Sequence, residues 1–255
     1  MEALAWIVPP EIGPAVTALL LGASFLGSFL TIAFGIGGGA FLLAVMASLV
    51  PPAVLIPVHG VVQLGSNAGR LLMTLRAVFW PALGWFTVGA LLGVALGAAL
   101  VVNIPPALVQ IGVGLFIIWS VLARPPAWLR RWPVVTRALV TGAASSFLTM
   151  FFGATGPFVA AYTRALELGR HGHVATQAAL MTVQHLLKTL AFGFLGFAFG
   201  AWAGFAVAMI LAGLLGTWAG GLVLNRLSDA RFRRALEILL VLIALRLIWA
   251  GAMAL

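Results

Sequence analysis

The sequence has no cysteine, a single tyrosine and only five acidic residues among 255. Without thiols there are no disulfides, iron–sulfur clusters or thiolate metal sites, and the redox compartment stays undetermined. Charge is scarce too. Asp, Glu, Lys and Arg make up 7% of the chain, against about a quarter in a soluble domain. That is too little polar surface to cover a fold in water. No Lys or Arg precedes Arg70, so the first apolar run lacks the basic n-region of a cleaved signal peptide. It is expected to remain as a spanning or re-entrant element.

Hydrophobic residues form 63% of the chain, and the composition is that of an integral membrane protein. The net charge of +9 does not point to nucleic acid. The arginines sit in short connections between apolar runs, as the positive-inside pattern of an inner membrane requires. The lipid bilayer is therefore the expected surrounding partner.

Proline, glycine and charge divide the apolar sequence at roughly 13–34, 37–50, 52–76, 78–102, 106–123, 134–151, 156–168, 173–199, 200–224 and 232–254. The expected fold is all-α, a polytopic transmembrane protein of about 8–10 segments. Its divisions are a first membrane repeat at 13–123, a cytoplasmic linker at 124–133 and a second repeat at 134–254. Segments 37–50 and 156–168 each follow a glycine-rich break and are short for a full span of about 20 residues. They either span at a tilt or turn back.

Arg76, then Arg124, Arg130, Arg131 and Arg137, then Arg164 and Arg170, then Arg226, Arg231, Arg233 and Arg234 mark four basic connections. With alternating segments all four fall on one side, which is then cytoplasmic, and both termini lie outside. Gly89, Gly93 and Gly97, and likewise Gly216 and Gly220, recur every fourth residue, the spacing of close helix packing.

A shift of 118 residues places Phe34 on Phe152, Gly35 on Gly153, Gly38 on Gly156, Asn67 on His185 and Arg70 on Lys188. Five segments per half is an odd number, so the second half is expected to be inverted. Inverted repeats with interrupted helices in matching places point to secondary transporters.

The residues able to carry chemistry follow the two breaks. In segment 52–76, His59, Gln63, Asn67 and Arg70 project within an arc of about 80°. In 173–199, Gln177, Gln184, His185 and Lys188 share one arc. Such stripes are costly against lipid and should face protein or a water-filled cavity. Two readings stand: interhelical hydrogen bonds that only hold the helices together, or a binding site. Arg70 also lies near a cytoplasmic end and could snorkel. Lys188 lies deep in its segment, and no Asp or Glu occurs between Glu167 and Asp229 to neutralise it. A buried cation of this kind either loses its proton or meets an anion, and an intramembrane charge favours the anion. The breaks add partial positive charge, since Gly37, Gly38 and Gly39 open one half-helix and Thr155 and Gly156 the other. His59 and His185 are candidate hydrogen-bond donors or proton carriers.

Other residues carry less. Glu237 follows Arg233 by four, an ordinary helix pair. Arg246 is expected to snorkel outward or to be buried, and His171 and His173 to lie in a solvated loop beside Arg170. Ser145 and Ser146 have no base partner in the pattern, so hydrolytic chemistry is not expected. Two histidines without carboxylates make a poor metal site. Neither metal nor cofactor is expected.

At these motifs the sequence resembles the TauE/SafE family of sulfite-exporter-like permeases. The resemblance rests on Gly35-Ile36-Gly37-Gly38-Gly39, on Pro57-Val58-His59-Gly60 with the 63–70 stretch, and on Ala175-Thr176-Gln177 through Gln184-His185-Leu186-Leu187-Lys188. The second glycine motif departs, as Gly153-Ala154-Thr155-Gly156-Pro157. The resemblance implies transport of small sulfur-containing or organic anions, such as sulfite or sulfonates. A coupling proton or ion belongs to that picture. The competing classes are a membrane scaffold or assembly factor with structural polar stripes, and a cation or metal permease using His59 and His185.

Overall fold

The structure is a computed structural model that describes residues 6–34, 37–101, 105–122, 131–223 and 230–255. Gly35, Ile36, Asn103, Arg124, Arg130 and Arg226 lie outside the described residues, as does most of the expected linker.

Ten helices of nine residues or more account for the fold of the described residues. They are α1 (Gly13–Phe34), α2 (Gly38–Leu49), α3 (Pro52–Thr74), α4 (Trp80–Val101), α5 (Pro106–Leu122), α6 (Val134–Phe152), α7 (Gly156–Arg164), α8 (Gly169–Phe194), α9 (Ala203–Val223) and α10 (Ala230–Ala252). No strand occurs among the described residues. The all-α expectation holds, with boundaries set by the same punctuation. Pro52 and Pro157 occupy first turns of α3 and α7, where a missing N–H costs nothing. Gly37 (φ 100°) precedes α2 and Gly153 (φ 78°) closes α6. A Cβ is strained at such angles, so glycine makes both reversals.

α2 and α7, of 12 and 9 residues, reach about 18 and 14 Å, well short of a hydrocarbon core of about 30 Å. The short segments do not cross. Among the described residues, four stretches are long and apolar enough to do so by length and composition: Gly13–Ala33, Trp80–Val101, Val134–Phe152 and Phe199–Leu222. Their outer faces expose Leu91, Leu92 and Leu96 on α4 and Leu211, Leu215 and Trp218 on α9, a surface suited to lipid.

The packing is reciprocal. α1 packs along α9 and α4 along α6, while α3 pairs with α8 and α5 with α10. Exchanging the first five helices with the last five leaves this set of pairings unchanged. Glycine makes the close pairs possible. A Cβ on Gly89 or Gly93 would strike the Leu139 and Ala143 carbonyls, and one on Gly142 the Phe86 carbonyl. Gly216 and Gly220 meet the Phe25 and Phe29 backbone in the same way. We expect Gly93→Val to force α4 off α6. Overpacking costs about 1–3 kcal/mol, and backbone gives way less than a side chain. Thermal unfolding in detergent should show a lower midpoint, whereas Gly84→Val, with open space around it, should leave the midpoint unchanged.

One detail departs from expectation. Helix α8 begins at Gly169, directly after a turn containing Glu167 (φ 56°). The turn spends so few residues that His171 and His173 enter the helix instead of a loop. His171 is exposed, but the His173 Nδ1 shares a 2.9 Å hydrogen bond with the Thr163 hydroxyl. Arg246 is exposed, with no buried role.

Candidate functional site

Helices α3 and α8 bring their polar stripes together. His59 and His185 stand edge to face, ring centroids 6.1 Å apart. The N-terminal ends of α2 and α7 point at the same place. Between them lies a cavity lined by Thr31, Gly37, Gly39, Ala40, His59, Gln63, Asn67, Arg70, Ala154, Gly156, Pro157, Gln177, Met181 and His185. Its empty volume, open mouth included, is about 370 Å³. Among the described residues, no carboxylate lines it.

Arg70 sets the polarity of this lining. It is 3% exposed, so it does not snorkel out. A guanidinium can only donate. Its Nη1 donates to the Asn67 Oδ1 at 3.0 Å, which fixes the amide flip. The Asn67 Nδ2 then donates to the Gln63 Oε1 at 3.1 Å and to the Gln63 carbonyl at 2.8 Å. With Oε1 engaged, Gln63 has its amide N–H groups left to offer. The ladder thus orders three residues so that donors remain for a ligand, and the buried Arg70 Nε has no protein partner. Two helix N-termini add partial positive charge, each equivalent to about half an elementary charge.

The other half is arranged differently. The Gln184 Nε2 donates to the Thr155 hydroxyl at 2.7 Å beside the cavity, while the buried Gln184 Oε1 has no partner among the described residues. Lys188 is fully buried, and its Nζ donates to the Gly153 carbonyl at 3.0 Å. It lies behind the histidines, close against Gly60, and is not a lining residue. The cations that match under the 118-residue shift therefore differ in place: Arg70 meets the cavity and Lys188 braces the break behind it. Gly38 also serves packing, since a Cβ there would strike the Gly27 carbonyl and the Thr31 hydroxyl. Gly37, Gly39 and Gly156 do line the cavity.

A model of the family described as sulfite exporter TauE/SafE matches residues 20–247. The chain belongs to the TauE/SafE family. It matches no curated protein and no solved structure. The family is one of membrane transporters, which agrees with the apolar helices of this TauE/SafE chain.

Some lining residues escaped the sequence reading. Thr31 sits on α1, one turn before the first break, and Met181 on α8. A hydroxyl and a thioether amid apolar sequence carry no signal of their own. Gln177 did not escape: it belongs to the α8 stripe, and the 118-residue shift sets it on His59. Both residues reach back to the start of a half-helix: the Gln177 Nε2 donates to the Gly156 carbonyl at 3.4 Å, and the His59 Nε2 bonds the Gly39 carbonyl at 3.1 Å. Among the described residues, no three His, Cys, Asp or Glu side chains group as metal ligands.

Proposed function

We propose that this TauE/SafE chain is a secondary transporter that exports small anions, such as sulfite, sulfonates or related organic anions, across the inner membrane. One observation carries the reading: a cavity rimmed by a buried guanidinium and two helix N-termini, with no carboxylate in its lining. A cation entering such a site would be repelled, and an apolar solute would leave buried donors unsatisfied, at about 1–3 kcal/mol each. An anion satisfies both charge and donors. In this reading Gly37, Gly39, His59, Gln63, Arg70, Gly156 and His185 contact substrate. Asn67, Thr155, Gln184 and Lys188 hold those groups in place. The two five-helix halves are inverted repeats with both termini outside the cytoplasm, and one half rocks against the other to alternate access.

A thermal-stability screen tests this. Sulfite, methanesulfonate and isethionate should raise the unfolding midpoint of the purified protein, whereas Na⁺, Mg²⁺ and Zn²⁺ should not. Ligand at a hundredfold over Kd adds about 2.7 kcal/mol, a rise of roughly 5–10 °C for a protein of this size. Stabilisation by cations alone would favour a cation permease. No stabilisation by any solute would favour a scaffold.

A further inference from the structure

Two histidines on the cavity wall and a lysine behind them are basic groups that anion contact alone does not explain. His59, His185 and Lys188 are all at most 1% exposed. No acid accompanies them: α1, α2, α4, α5 and α9 contain no titratable side chain at all. α3 contributes His59 and, about three turns on, Arg70, while α8 contributes His185 and Lys188. The remaining described titratable groups of the ten helices are Arg137, Tyr162 and Arg164 on α6 and α7, Arg170, His171 and His173 at the start of α8, and Glu237 with the arginines of α10, and none of them lines the cavity.

The hydrogen bonding of His59 fixes its tautomer. A carbonyl oxygen can only accept, so the Nε2 facing Gly39 carries the hydrogen. In the neutral ring Nδ1 is then a bare lone pair, and it has no partner. The Nδ1 of His185 is likewise buried without one. Lys188 and Arg70 already place positive charge on the two helices that carry these buried rings. A bound anion reverses that balance. It supplies the missing negative charge, and a ring that takes up a proton at Nδ1 becomes an imidazolium beside it.

We propose that the His59–His185 pair is the coupling-proton site of this transporter, so that one anion and one proton are carried together. The proposal rests on the anion-transport reading and names its coupling ion. Binding linkage makes the effect reciprocal: a lower pH tightens anion binding, and anion binding draws in a proton. A monoanion with its proton crosses without net charge. Export then follows the gradient of the acid produced inside, free of the membrane potential.

Methanesulfonate is the probe of choice, because it stays ionised at any working pH and every proton moved belongs to the protein. The protein would be reconstituted in liposomes enclosing a pH-sensitive dye, with the potential clamped and labelled methanesulfonate supplied outside. We expect labelled anion and protons to enter together, at about one proton per anion. In His59→Gln/His185→Gln the proton-to-anion ratio of the residual flux should fall at least about fivefold. Anion entry without proton entry in the wild type would overturn the proposal and leave the anion reading standing. An unchanged ratio in the variant would overturn the assignment to these histidines. If methanesulfonate, sulfite and isethionate all fail to move, the anion reading falls and the proton site with it. Should the double variant not fold, wild-type calorimetry decides. A methanesulfonate binding heat that depends on the buffer's ionisation enthalpy, and loses that dependence above the imidazole range, supports the proposal. A buffer-independent heat overturns it.

Discussion

Arg70→Gln is expected to lower sulfonate flux in proteoliposomes by at least about a hundredfold while the protein still folds. The side chain is the one cation on the cavity lining. It works where water is largely excluded, so its charge is weakly screened. Removing one partner of a buried, hydrogen-bonded charge pair costs about 2–5 kcal/mol, and each 1.4 kcal/mol is a factor of ten. The fold should tolerate the change. No Asp or Glu lies against Arg70 in the cavity, so the substitution strands no carboxylate, and the desolvation cost of a buried cation disappears. The midpoint of thermal unfolding without ligand should hold or rise, and the rise induced by methanesulfonate should vanish. Arg70→Lys would keep the charge but lose the planar fork that also holds Asn67, so flux should recover only in part. Undiminished flux in Arg70→Gln would sink the site assignment, whatever the stability data show.

Lys188→Met should reduce flux by at least about tenfold, through a different route. Lys188 does not touch the cavity, yet its charge lies directly behind the two histidines, and its Nζ satisfies the Gly153 carbonyl at the second break. Methionine fills nearly the same volume but cannot donate. The Gly153 carbonyl keeps the Thr149 hydroxyl as a donor at 3.0 Å, so the lost bond costs only about 1 kcal/mol, offset in part by the relief of burying no ammonium. Unfolding temperature should therefore move by a few degrees at most. Flux suffers more, because the cavity loses a positive charge and the α6–α7 break loses its brace. Lys188→Arg, which keeps both charge and donor, should restore part of the loss if the larger head fits beside Gly60. Equal fluxes for the Met variant and the wild type would leave Lys188 no role in transport.

Much of the architecture was legible in the residues alone. Proline and glycine interrupt apolar runs at fixed places, and backbone chemistry at those places is local. The ends of α2, α3 and α7 therefore follow from Gly37, Pro52 and Pro157 without knowledge of any neighbour. The stripes on α3 and α8 were legible for a similar reason, since helical periodicity alone puts His59, Gln63, Asn67 and Arg70 on one face. The α8 start was less so. One positive-φ residue, Glu167, shortened a turn and moved two histidines from loop to helix.

What the sequence by itself determined was the membrane environment, the ten-helix order, the family resemblance and the direction in which each polar stripe points on its own helix. Only the tertiary structure decided which of those residues share a cavity. Arg70 and Lys188 look equivalent under the repeat, but one lines the cavity and the other caps a carbonyl behind it. Periodicity sets an angle about a helix axis. It says nothing of how far two helices slide or roll against each other, and those are set by contacts distant in sequence, such as Gly38 against Gly27, Gly60 against Lys188 and Gly93 against Ala143.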